Sequence, residues 1–107
     1  MSKRISENVP IPLPAVDLLQ RWGKAIRAQR QVKKIPMRDF SHRINASLNT
    51  LQRLERGEHS VQVGTYLTAM ITVGIMERLC PPPEYSLMQS AIARVRAPTT
   101  KNDDDYF

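Results

Sequence analysis

The first sustained pattern along the chain is a helical one. Val16, Leu19, Trp22 and Ile26 recur every three or four residues, the spacing that gathers apolar side chains on one face of a helix. Asp17 followed by Gln20 has the form of a capping box, so a first helix is predicted from Asp17 to about Gln31. Upstream, Pro10, Pro12 and Pro14 favour an extended, polyproline-like backbone. Downstream, Lys33-Lys34-Ile35-Pro36 breaks the helix, because a proline biases the residue before it away from helical angles.

A second, short helix fits Met37 to Ile44, with Phe40 and Ile44 one turn apart. Asn45 suits a left-handed turn position, which its side chain tolerates better than most. Ser47 can cap a third helix whose inward face is Leu51 and Leu54, and Gly57 suits the left-handed residue that ends it. A loop around His59 leads to a fourth helix near Gly64 to Val73, broken by Gly74, and Ile75 to Cys80 reads as a short fifth helix or an extended segment. Pro81-Pro82-Pro83 is a stop, beyond which Tyr85, Met88, Ile92 and Val95 have the spacing of a sixth, C-terminal helix. The organisation expected is a flexible Pro-rich tail (1–14), an all-α domain (15–80), a C-terminal extension (81–97) and a disordered acidic tail (98–107).

Composition narrows the class. A chain of 107 residues, 41% apolar, has room for one domain with a modest core. Only 6% of residues are aromatic, so aliphatic and methionine side chains must do most of the packing. No run approaches the roughly 20 apolar residues of a bilayer span. The basic N-terminus lacks the apolar segment of a signal peptide, and the expectation is a cytoplasmic protein with no membrane partner. The single cysteine, Cys80, has no ligand-spaced Cys or His nearby and reads as a small apolar residue.

Charge is distributed unevenly. Sixteen Lys and Arg against ten Asp and Glu give +6, and six of the basic residues (Arg21, Lys24, Arg27, Arg30, Lys33, Lys34) fall in one stretch that has no acid. Such a body attracts polyanions, although charge alone does not separate DNA from RNA or an acidic membrane. His42 and His59 have no partners at catalytic or metal-site spacing, and there is no phosphate-binding glycine loop. No enzyme activity, metal or cofactor is expected.

Two short helices joined by a tight turn are the helix-turn-helix arrangement. Close crossing needs a small residue on the first helix, and Ser41 sits there; Asn45 serves the turn. The next helix keeps Leu51 and Leu54 inside and offers Ser47, Asn49, Thr50, Gln52 and Arg53 outward.

Residues 18–80 resemble the Xre/Cro-type helix-turn-helix domains of phage repressors and bacterial regulators. The motifs that carry the resemblance are Ile26-Arg27-Ala28-Gln29-Arg30, Phe40-Ser41-His42-Arg43-Ile44-Asn45 and Leu51-Gln52-Arg53-Leu54-Glu55-Arg56-Gly57. The run Val61 to Leu79 is closer to HipB-type antitoxins, which are encoded beside HipA-type Ser/Thr kinase toxins. The resemblance implies a compact five-helix, lambda-repressor-like DNA-binding domain, with the helix from Ser47 to Arg56 in the major groove. It makes Asn49 and Arg53 the leading base-contact candidates, suited to adenine and guanine edges respectively, with Ser47 and Gln52 secondary. Arg38, Arg43 and Thr50, with amides near the start of the second helix, would hold phosphates. Arg30 and Glu55 match a pair that forms a buried, structural salt bridge in some members.

Departures from the family pattern are physical as well. Leu48 replaces a base-reading Gln and could instead touch a thymine methyl; Asn45 replaces the turn glycine and Ser41 an alanine. Pro36 stands where a capping Ser or Thr is usual, so that cap is either weaker or made by backbone and water.

Met70, Ile71, Val73, Ile75, Met76 and Leu79 form more apolar surface than one small domain is expected to bury. A homodimer built from the segment after Gly74, with Ile75, Met76 and Leu79 at its interface, would set two reading helices about 34 Å apart on an inverted-repeat operator in double-stranded DNA. In the alternative, the C-terminal helix folds back over this surface. The functional expectation is an autoregulating HipB-like repressor of a HipA-type toxin-antitoxin operon. Two alternatives stand beside it: an interaction module that binds and restrains the kinase toxin, and a free-standing repressor with no toxin; the protein partner expected is a HipA-type kinase toxin or an accessory antitoxin protein.

Overall fold

Proline, not an acidic cap, opens the first helix. In the computed structural model, which describes residues 10–90, α1 runs Leu13–Val32 with Pro12 at the N-cap and Pro14 in the first turn. The expectation that Pro14 lies in an extended tail is therefore corrected. Its missing N–H is one that the first turn leaves unpaired anyway, and its fixed φ is already helical. Asp17 is not the cap; it lies within the helix and accepts a hydrogen bond from Arg21 Nε at 2.8 Å. The expected tails at 1–9 and 98–107 lie outside the described residues.

Five further helices follow among the described residues: α2 (Met37–Arg43), α3 (Leu48–Glu55), α4 (Val63–Val73), α5 (Met76–Leu79) and α6 (Tyr85–Met88). Their junctions use the expected residues. Asn45 has φ 56° and Gly57 φ 78°, while Gly74 ends α4 at φ 80°. Ser47 caps α3 by accepting from the Thr50 amide at 3.0 Å. Pro36 stands at the α2 N-cap with no side-chain cap, and α2 ends on Ile44, which is buried. Lys34 is a second non-glycine residue in the left-handed region, at φ 57°.

The core gathers α1–α4 around one cluster. Ile26, Phe40, Leu51, Leu54, Tyr66, Ala69, Met70 and Val73 are each no more than 2% exposed. Trp22 packs on Tyr66 with ring centroids 5.8 Å apart and planes tilted by 59°. α1 and α3 touch backbone to backbone at Gly23, where a Cβ would stand only 2.7 Å from the carbonyl oxygens of Leu54 and Glu55. Gly57 is seated as tightly against Gln20 of α1. The C-terminal end of α3 and the turn that follows it are thus both held against α1 by contacts that admit no side chain.

Two expectations about the C-terminal part change. Ile75 is buried, and its N–H donates to Met70 O at 2.9 Å. It belongs to the core cluster of its own chain, because the left-handed Gly74 turns the chain back onto α4. Met76 and Leu79 are half-buried against the same core. The sixth helix spans only Tyr85–Met88, with all four residues exposed, so this part does not fold back over the apolar surface; Ile92 and Val95 lie outside the described residues. Among the described residues, no helix is long and apolar enough to cross a membrane.

Candidate nucleic-acid interface

With Leu51 and Leu54 fully buried, the 100° step per residue of an α-helix decides which side chains of α3 point away from the core. Opposite the two leucines come Asn49, Gln52, Arg53 and the C-cap residue Arg56. Asn49, Gln52 and Arg56 are exposed, and the Arg53 side chain retains 31% of its accessibility. Asn49 and Arg53 are four residues apart, as are Gln52 and Arg56, so the four make two adjacent rows on one polar face.

Two features hold this face from behind. One is the Gly23 contact. The other is the pair formed by Arg30 on α1 and Glu55 on α3: Arg30 Nε donates to Glu55 Oε2 at 2.6 Å and Nη2 to Oε1 at 3.1 Å. The two side chains are only 9% and 6% exposed. Arg30 Nη1 also donates to the carbonyl of Ile35 at 3.0 Å, which ties the turn before α2 into the same node. A bidentate pair of this kind fixes geometry as well as charge.

The remaining candidate residues are placed unequally. Ser47 is exposed, but its hydroxyl is engaged: it accepts from the Thr50 amide and donates to Thr50 Oγ1 at 2.9 Å. Ser47 and Thr50 thus form one capping unit at the start of α3. Leu48 is 37% exposed beside them. Arg38 is exposed on α2, and Arg43 is exposed with Nη2 3.0 Å from Asp39 Oδ2. Ser41 is buried on α2, its hydroxyl donating to Arg38 O at 2.8 Å.

Arg53 does not stand free. Its Nε donates to Glu58 Oε1 at 3.1 Å, and its Nη2 contacts the Ser60 hydroxyl. Arg56 reaches the other oxygen of the same carboxylate, Nε to Oε2 at 2.9 Å. The Arg56 hydrogen bond, helped by Arg53 and opposed by partial burial, holds the Glu58 carboxyl below its ordinary pKa. Glu58 is itself immobilised through its backbone. Its N–H donates to Arg53 O at 3.1 Å, and its carbonyl accepts from the Tyr66 hydroxyl at 2.7 Å. Burial and the nearby Glu58 carboxylate push that phenol up to about 12.

Arg56, Glu58 and Ser60 were not among the candidates read from the sequence. Arg56 could have been found, because it repeats the position of Gln52 one turn later. Glu58 and Ser60 could not, since they lie past the helix and reach it only through the Gly57 turn. His42 and His59 are exposed, and among the described residues no group of three His, Cys, Asp or Glu side chains is placed to hold a metal. No protein-family model, curated protein or solved structure matches this chain.

Proposed function

We propose that this chain is a sequence-specific, double-stranded-DNA-binding transcriptional repressor in which α2 and α3 act as a helix-turn-helix pair and α3 reads the major groove. One observation carries the reading. The outward face of α3 presents Asn49, Gln52, Arg53 and Arg56 without apolar interruption, on a helix locked from behind by Gly23 and the Arg30–Glu55 pair. Rigid support matters because a base edge is read by paired hydrogen bonds whose geometry tolerates little error. The net charge of +6 supplies the sequence-independent attraction to the duplex.

In this reading Asn49 and Arg53 contact adenine and guanine edges, with Gln52 beside them and Ser47 close to the backbone. Arg38 and Arg43 flank the reading helix and hold phosphates, Arg43 by exchanging Asp39 for one, and Thr50 presents the capped start of α3. The protein acts as a homodimer on an inverted repeat, with half-buried Met76 and Leu79 and exposed Ile71 forming its contact surface. The setting is a HipB-like autoregulator of a HipA-type kinase operon. Exposed Tyr85, Leu87 and Met88 support a second role for the region after the triple proline, in contacting the toxin or an accessory protein.

Selection of duplexes from a random pool tests the first claim. An enriched inverted-repeat motif is the expected outcome, and Arg53→Ala should weaken binding to it by ~1–3 kcal/mol. A pool that remains random after repeated rounds would remove the proposal.

A further inference from the structure

The Arg53–Glu58–Arg56 cluster places a carboxylate against the polar face that the DNA reading requires, where an acid is at first sight a liability. Two consequences follow from its geometry. The Arg53 side chain is held at Nε by Glu58 and at Nη2 by Ser60, while no hydrogen bond of Nη1 is drawn from within the described residues. Its long chain is therefore ordered before any ligand arrives, and a pre-ordered guanidinium loses less rotamer entropy on binding. At the same time Glu58 neutralises one of the two positive charges that Arg53 and Arg56 would otherwise offer to phosphates. The first effect strengthens a complex in which Arg53 meets the correct base edge. The second weakens every complex that depends on charge alone.

We infer that Glu58 is a specificity-determining residue for duplex recognition: it positions Arg53 for a base edge and withholds the Arg53 and Arg56 charges from non-cognate phosphates. The inference rests on the DNA-binding reading above. Glu58 suits the role because its own position is set by the core. The Gly57 turn, in the left-handed region at φ 78°, carries the chain back so that the Glu58 amide closes on Arg53 O. The buried Tyr66 hydroxyl then holds the Glu58 carbonyl from the other side. With its backbone fixed on both sides, Glu58 presents its carboxylate from one set position between the two guanidinium groups.

The test measures binding of wild type, Glu58→Gln and Ser60→Ala to two duplexes of equal length, the one selected from a random pool and a scrambled version, over a range of KCl concentrations. Glutamine keeps the size and an acceptor oxygen but removes the charge. Each additional phosphate neutralised steepens the logarithmic salt slope by about 0.9 and is worth roughly eight-fold in affinity at 0.1 M salt relative to 1 M. Glu58→Gln is therefore expected to bind the scrambled duplex roughly three- to eight-fold tighter, with a slope steeper by up to about one. Its affinity for the selected duplex should gain less or fall, so that the ratio of the two drops several-fold. Ser60→Ala, which changes no charge, should weaken only the selected complex and leave the scrambled one unaltered.

An unchanged ratio and slope in a Glu58→Gln protein that melts like wild type would overturn the role of Glu58 while leaving DNA recognition intact. If Glu58→Gln does not fold, Ser60→Ala still decides whether Arg53 is positioned: equal loss on both duplexes overturns it. A wild type that distinguishes no duplex overturns the underlying reading itself, and is recognised because selection yields no motif.

Discussion

Replacing Gly23 with alanine puts the packing of α1 on α3 to a test whose sign alone is informative. In an unobstructed helix interior the change is stabilising by about 1 kcal/mol, because alanine has the higher helix propensity. Here the added Cβ would lie 2.7 Å from the carbonyl oxygens of both Leu54 and Glu55 and 2.9 Å from the Glu55 carbonyl carbon. That is about 0.7 Å short of ordinary van der Waals contact, and the atoms it meets are backbone, which no rotamer change can move aside. Overpacking of a well-filled site costs ~1–3 kcal/mol, and a clash with a neighbouring helix backbone belongs at the upper end. After the propensity gain, a net loss of about 2 kcal/mol is expected, or roughly 8–16 °C in Tm for a domain of this size.

Gly64→Ala provides the control. Gly64 is also helical, in the first turn of α4, but a Cβ there would meet nothing within 4 Å. Alanine at this position should leave stability unchanged or raise it by up to about 1 kcal/mol. Urea unfolding of the two variants beside wild type, followed by far-ultraviolet circular dichroism, gives both numbers. A Gly23→Ala protein as stable as Gly64→Ala would refute the close approach of α1 to α3, and with it the reason that α3 is held rigidly.

The other stability predictions concern the polar groups that hold α3 and the turn after it. Glu55→Gln leaves the Arg30 guanidinium buried without its charge partner and should destabilise by about 3–5 kcal/mol in chemical denaturation, whereas Arg30→Met with Glu55→Leu should recover much of the loss. Ser47→Ala removes the α3 cap and should cost about 1 kcal/mol in the same assay. Tyr66 titrates near 12 in the folded chain against an ordinary value of 10.0, so the neutral phenol is favoured by folding. Its contribution to stability is complete below pH 10 and is lost as the pH rises towards 12. Tyr66→Phe should be less stable at neutral pH, for want of the hydrogen bond to Glu58, and should show a shallower alkaline decline in urea midpoint between those limits.

What was legible in the sequence was what is decided locally. Asn45, Gly57 and Gly74 sit at left-handed turns, and Ser47 caps α3, because each requirement concerns one residue and its immediate neighbours. The helical spacing of Leu51 and Leu54 likewise marks them as the inward side of α3. The start of α1 was misplaced because three prolines in alternate positions resemble an extended tail, and only the register of the first turn makes Pro14 helical. Ile75 packs into the core of its own chain, which its position does not signal, because an apolar residue after a helix break carries no mark of which partner it will meet. Gly23 and Glu58 escaped notice for the same reason: their roles arise from contact with α3, and nothing in their own surroundings along the chain signals it. Lys34 takes a left-handed φ that its residue type gives no reason to expect.

The central claim is that the outward side of α3 meets base pairs directly. It is tested most directly by measuring the affinity of wild type and Asn49→Ala for every single-base variant of the selected duplex. Wild type should lose ~1–3 kcal/mol at each specifying position, and Asn49→Ala should become indifferent at one symmetry-related pair of positions while keeping its preference elsewhere. If Asn49→Ala weakens binding equally on all variants, or leaves the pattern of preferences intact, α3 does not read the sequence and the account fails.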